Sequence, residues 1–250
     1  MSALALPSAG LAATGGAGVG APRSGARFSV PGVSVQPGEE TVTASGDGIA
    51  VAARASALLR GRLQFTGTVP RSSAGDSIEI ERLGRQTGGV WAPTVHTTAR
   101  AGGSFVAVWQ TNHIGRFAIR AVIERRRRAA SASPRPRTSP SLSVTVYRSA
   151  IATQYGPGFY GQTTACGQVL RRNTIGVANR TLPCGTPVAI YYQGQTIVVP
   201  VIDRGPYANH ADWDLTEATG KLLAMDGTAT IGAVSLAPGA VSPAQGHQSR

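Results

Sequence analysis

Two aspartates in the last fifty residues stand where carboxyl groups can do acid–base chemistry. Asp203 ends the apolar run Ile197-Val198-Val199-Pro200-Val201-Ile202 and is followed by Arg204-Gly205-Pro206. Such a run reads as a buried strand that the Gly-Pro turn breaks, so its terminal carboxyl faces a cleft. The same carboxyl can instead accept backbone N–H bonds in its own turn, or pair with Arg204. Asp214 opens Asp-Leu-Thr-Glu. Asp at an N-cap with Glu217 at N3 predicts a capping box and a helix over 215–225, with Leu215, Ala218, Leu222 and Met225 on one face. Asp212 and His210 lie in the loop before it, where His210 is either a cleft-edge or an exposed loop histidine. Tyr155, Phe159 and Tyr160 surround the Gly156-Pro157-Gly158 turn. Aromatic rings there either stack on a flat ligand such as a sugar or fill a core.

Four segments of this stretch recur together as a pattern. They read ATQYGPGFYGQTTACG from Ala152, VANRTLPCGTPV from Val177, VVPVIDRGPY from Val198 and DLTEATGKLLAM from Asp214. In this order and spacing, 152–236 resembles the RlpA-like family of double-psi β-barrel domains. That family is associated with bacterial cell-wall glycan and includes septal lytic transglycosylases. The resemblance implies a six-stranded barrel with a short helix, and peptidoglycan glycan strands as the partner. It makes Asp203 the leading catalytic candidate and puts Asp214 near the groove.

The resemblance also exposes departures. Gln168 stands where the family often has glutamate, Asn179 where histidine is usual, and Arg171 at an aspartate position. Amides hydrogen-bond a sugar but exchange no proton near neutral pH. A lytic transglycosylase needs one carboxyl of raised pKa. It protonates the leaving oxygen, then as a base assists attack by the C6 hydroxyl of N-acetylmuramic acid. The expected activity is therefore lytic transglycosylase cleavage, with Asp203 as acid and base. The alternative is a non-catalytic module, expansin-like in its wall-loosening, that grips glycan through Tyr155, Phe159, Tyr160, Gln168, Asn179, Arg204 and Trp213. A third reading is a wall-associated interaction protein in which the N-terminal domain acts.

Cys166 and Cys184 occupy turn positions where related sequences carry other residues. Two simultaneous departures to cysteine suggest a disulfide, worth about 3 kcal/mol by loop entropy, the alternative being two unrelated buried thiols. A disulfide implies an oxidising, extracytoplasmic location, secreted or bound to the bacterial wall. Residues 1–27 are small and apolar without a basic start, and read as disordered or as the remnant of a signal peptide.

The elements upstream must carry and place the barrel. Between 28 and 148 the sequence alternates as short strands do. Phe28, Val30, Val33 and Val35 alternate loosely, and Ile49–Leu63 reads as strand. Ile78 and Ile80 alternate with Glu79 and Glu81. Trp91–Ala99 and Ser104–Trp109 follow glycine pairs. Phe117, Ile119 and Ala121 alternate with Arg116 and Arg120, and Leu142, Val144 and Val146 with Ser143 and Thr145. About seven such strands predict an immunoglobulin-like β-sandwich. The expected organisation is all-β, with the sandwich over 28–148, the barrel over 150–236 and a disordered tail over 237–250. His96 and His113, far apart in sequence, read as ordinary surface histidines, and neither metal nor organic cofactor is expected.

The formal charge of +12 belongs almost wholly to the first part of the chain. Residues 1–150 hold 18 arginines against 7 acids, whereas 151–236 balance at 5 and 5. The run Arg125–Arg128, beside a Ser/Pro/Ala stretch, reads as a solvated loop. No nucleic-acid motif accompanies it. Attraction to anionic cell-wall polymers is the expected use of the charge. No stretch reaches the roughly 18–20 apolar residues of a membrane span.

Overall fold

The computed structural model describes residues 33–124, 136–208 and 210–236. The expectations for 1–27, for Arg125–Arg128 and for 237–250 lie outside the described residues. The first strands are β1 (Gln36–Pro37), β2 (Thr41–Gly46), β3 (Ile49–Arg54), β4 (Ser56–Leu58), β5 (Arg62–Thr68) and β6 (Ser77–Leu83). They are followed by β7 (Ala92–Thr98), β8 (Ser104–Gln110), β9 (Gly115–Glu124), β10 (Arg137–Thr138) and the long β11 (Leu142–Tyr155). The remainder is β12 (Val177–Ala178), β13 (Pro187–Tyr192), β14 (Gln195–Asp203), β15 (Trp213–Thr216), the helix α1 (Glu217–Leu222) and β16 (Ala229–Ser235).

Two sheets make the N-terminal sandwich. One is the antiparallel set β2-β3-β5-β8. The other runs β7-β6-β9-β11, with β10 beside β9 and β4 beside β11. Period-2 alternation sends Ile49, Val51, Leu63, Phe65, Phe105 and Trp109 inward from the first sheet. Ile78, Ile80, Phe117, Ile119 and Val144 face them from the second.

The second half of β11 enters a closed barrel of six strands. The order β15-β12-β14-β13-β16-β11 closes because β15 also pairs with β11. β11–β15 and β12–β14 are parallel, and the other pairings are antiparallel. Val188, Ile190, Ile197, Val199, Val201, Leu215 and Ile231 fill the interior.

Three findings depart from the sequence reading. First, the pairing of Gln36–Pro37 is with β14 of the barrel, at Thr196 and Gln195, and Val33 and Val35 pack against the barrel core rather than the sandwich. β12 covers β14 only at its Val201–Asp203 end, so the Gln195–Thr196 edge is open and takes an extra strand. Second, the last sandwich strand and the first barrel strand are one continuous strand, β11.

Third, Asp214 is not the cap of a helix. It lies within β15, opposite Ala178 of β12 and Thr153 of β11. The helix spans only Glu217–Leu222, and Thr216 caps it by accepting the N–H of Thr219. Pairing on both sides of β15 outweighs the local capping signal, and Gly220 inside α1 weakens helix propensity. No helix among the described residues is long and apolar enough to cross a membrane.

Candidate functional site

A groove of about 430 Å³ opens where β11, β12, β14 and β15 meet. Thr153, Tyr155, Phe159, Asp203, Arg204, Tyr207 and Asp214 line it. A concavity of about 470 Å³ on the sandwich, around Ala53, Arg54 and Arg62, holds no carboxyl group. Of these two concavities, only the barrel groove is lined by carboxyl groups.

Pairing with β12, parallel to β14 and antiparallel to β15, fixes the two aspartates. Ala178 is opposite Asp203 on one side and Asp214 on the other, so β12 sets the carboxyl-bearing strand ends side by side. The approach to β12 is itself pinned, because Thr219 Oγ1 both accepts from the Gly176 N–H and donates to the Gly176 carbonyl, each at 3.0 Å.

The two carboxyl groups meet different surroundings. Asp203 Oδ1 accepts the backbone N–H of Ala165 at 2.9 Å and of Arg204 at 2.8 Å. These two donors fix the orientation of the carboxyl group. The Arg204 guanidinium turns elsewhere, donating to the Asn179 and Asp203 carbonyls and to Cys184 Sγ. Asp214 is half-buried and accepts from Thr153 Oγ1 at 2.8 Å. Burial is the main cause that lifts its pKa above the ordinary carboxylate range. The Thr153 bond opposes the shift, and the charge of Asp203 adds to it.

Tyr155 completes the pair. Among the described residues its buried hydroxyl makes no well-formed hydrogen bond, although the Asp203 carboxyl approaches it. Burial first, then the nearby Asp203 and Asp214 charges, push its pKa far up, so it keeps its proton. The site thus holds a carboxyl group bound by two backbone amides, a shielded carboxyl group of raised pKa and a phenol that keeps its proton. That set can donate a proton, stabilise developing positive charge and hydrogen-bond an oxygen.

Aromatic surface flanks this chemistry. Phe159 is 53% exposed, with its ring edge-on to Tyr155 at 6.3 Å. Tyr207 is 80% exposed, directly after the Arg204-Gly205-Pro206 turn. The sequence reading missed Tyr207, and the aromatic following that turn was the signal available. It missed Thr153 and Ala165 too, whose roles depend on long-range pairing.

Other expected binding residues lie away from the groove lining. Tyr160 donates to Glu217 at the start of α1, and Arg172 lies 5.5 Å above its ring. Trp213 packs against the barrel core. Asn179 Oδ1 accepts the backbone N–H groups of Thr181 and Leu182, which makes it a turn cap. Gln168 is exposed, and its carbonyl accepts the Thr164 N–H. Cys166 and Cys184 form a disulfide with Cα atoms 5.7 Å apart. It ties the Ala165 loop, which feeds the Asp203 hydrogen bond, to the turn below Arg204.

Comparison with known proteins converges on the same stretch. Residues 149–236 match the family model described as lytic transglycolase. A probable endolytic peptidoglycan transglycosylase RlpA of Synechocystis is 38% identical over 88 residues, 34% of this chain and 27% of that protein. The endolytic peptidoglycan transglycosylase RlpA of Campylobacter jejuni is 34% identical over 85 residues, 32% of this chain and 31% of that protein. The chain thus spans less than a third of the length of these relatives. Among solved structures, Streptomyces papain inhibitor is 29% identical, covering 35% of this chain and 92% of its own, with a TM-score of 0.29. Residues 149–236 are thus a double-psi β-barrel domain of the RlpA-like family.

Proposed function

We propose that the barrel groove binds peptidoglycan glycan strands outside the cytoplasm and cleaves them as a lytic transglycosylase. The observation that carries this is the pairing of two unlike carboxyl groups on one groove, Asp214 shielded and Asp203 held by two backbone amides. We assign the proton donor to Asp214, whereas the sequence reading gave both acid and base roles to Asp203. Asp214 protonates the glycosidic oxygen as the bond to C1 breaks. The carboxylate of Asp203 stabilises the positive charge that develops on the sugar ring. The C6 hydroxyl then attacks C1 and its proton returns to Asp214, closing a 1,6-anhydro ring without water. Tyr155, which keeps its proton, donates to a substrate oxygen. Phe159 and Tyr207 offer ring faces to neighbouring sugars. Attraction of the basic N-terminal half to anionic wall polymers supports retention at the wall.

A binding-only reading draws on two observations. Asn179 is consumed as a turn cap and Gln168 lies outside the groove lining, so neither replaces the family's ionisable groups.

The deciding experiment digests purified sacculi with the full chain, beside Asp214→Asn and Asp203→Asn, and reads soluble products by mass spectrometry. Products ending in 1,6-anhydro-muramic acid, lost in Asp214→Asn, support cleavage with Asp214 as donor. Co-sedimentation with sacculi and no soluble product from any of the three proteins overturns cleavage in favour of binding.

A further inference from the structure

We propose that Glu79, His96 and Glu124 form a divalent-cation site, suited to Zn²⁺, on the outer face of the sandwich. β6 lies between β7 and β9 in the sheet. Glu79 is directly opposite His96 of β7. Glu124 of β9 is opposite Ser77, two residues along β6 from Glu79, so the two glutamates are diagonal neighbours on one face. Ile78, Ile80 and Ile123 alternate with them and point into the core. The sheet thus sets an imidazole and two carboxylates together, with one potential ligand atom from each within 4.8 Å of the others.

Glu79 makes this more than a surface cluster. It is only 7% exposed, and among the described residues its buried Oε1 has no hydrogen-bond partner. The same oxygen faces His96 Nε2 at 3.9 Å. Burying a carboxylate oxygen without a partner is costly, and a proton or a cation is what relieves it. Among the described residues no lysine or arginine pairs with Glu79, because Arg120 is taken by Glu81 at 2.6 Å. Burial, then the neighbouring Glu124, raise the Glu79 pKa. A dication placed between the carboxylates reverses both effects.

One imidazole nitrogen with two carboxylate oxygens is a donor set that zinc accepts, leaving a fourth position for water. Bonds of about 2.0–2.2 Å require ligand atoms closer together than they stand here. His96 and Glu124 are both exposed and have the rotamer freedom to close in. Bound metal would staple β7, β6 and β9 at the edge of the sandwich. The sequence reading, taking His96 as an isolated surface histidine, had no view of this cross-strand neighbourhood.

The test uses the full chain, stripped with EDTA, dialysed and titrated with ZnCl₂ by calorimetry and by thermal melting. One saturable site per chain is expected, together with a metal-dependent rise in Tm. His96→Ala and Glu79→Gln should each weaken binding roughly tenfold or more and abolish the Tm rise. His113→Ala, in the loop between β8 and β9, should change neither. If Glu79→Gln fails to fold, His96→Ala carries the test alone, since its side chain is exposed. Absence of saturable Zn²⁺ binding, or binding and a Tm rise that persist in His96→Ala, overturns the site.

Discussion

Asp214 and Asp203 face one groove, and each changes what the other does. The charge of Asp203 is one of the causes that raise Asp214. Asp203→Asn removes that contribution, so Asp214 should titrate at lower pH, read from its carboxyl carbon by NMR. An unchanged titration would rule out coupling between the two groups. Stability follows from the same shift. A carboxyl whose folded pKa is raised binds its proton more tightly in the folded state. Its contribution to stability is then greatest at acid pH and is lost as pH rises through the raised value. Asp214→Asn should therefore raise Tm at neutral pH, and the gain should vanish once wild-type Asp214 is protonated. A Tm difference independent of pH would refute this. Tyr155→Phe removes a buried hydroxyl that makes no well-formed hydrogen bond among the described residues, and should leave stability unchanged or slightly higher while weakening activity. Tyr207→Ala should weaken glycan binding roughly fivefold, for about 1 kcal/mol of stacking, without changing Tm. Residues such as Asp203 were legible because a buried run ends on them. Thr153 and Tyr207 were not, because their importance is set by what the fold brings opposite them.

The elements that hold the site show why local signals succeed or fail. Strict alternation made β6, β9 and the first half of β11 readable, since one face of each is packed and period 2 leaves no other register. The Asp214–Glu217 capping pattern misled because β15 takes partners on two sides, from strands distant in sequence. β1 escaped notice for the same reason, its partner Thr196 lying 160 residues away. The Cys166–Cys184 disulfide is the element-scale device closest to the chemistry, with a sequence separation of 18. Closing that loop contributes about 3 kcal/mol. It also holds the Ala165 amide against Asp203. Cys166→Ser with Cys184→Ser should lower unfolding free energy by about that amount in urea titration. It should also reduce activity more than the stability loss explains, measured at a temperature where the variant is fully folded. Equal activity per folded molecule would limit the disulfide to stabilising the fold.

At the scale of the whole molecule, sandwich and barrel are joined more firmly than a linker allows. β11 runs unbroken from Leu142, paired with β9, to Tyr155, paired with β15. Tyr147, Ala189 and Val234 are buried between the two halves, with Ile114, Tyr191 and Leu236 packed on them. The rings of Tyr147 and Tyr191 lie 5.7 Å apart. A strand cannot lose its sandwich pairing without disturbing the barrel register beyond it, because the pleat carries orientation along the chain. The two domains should therefore melt as one cooperative unit, with calorimetric and van 't Hoff enthalpies equal. Tyr147→Ala empties the shared core and should cost about 3–5 kcal/mol, judged by large aromatic truncations. Because that loss falls on the junction, the single transition should also separate into two, or its van 't Hoff enthalpy drop below the calorimetric value. Two resolved transitions in the unaltered chain would show instead that the junction transmits little, and that the sandwich carries the groove without steadying it.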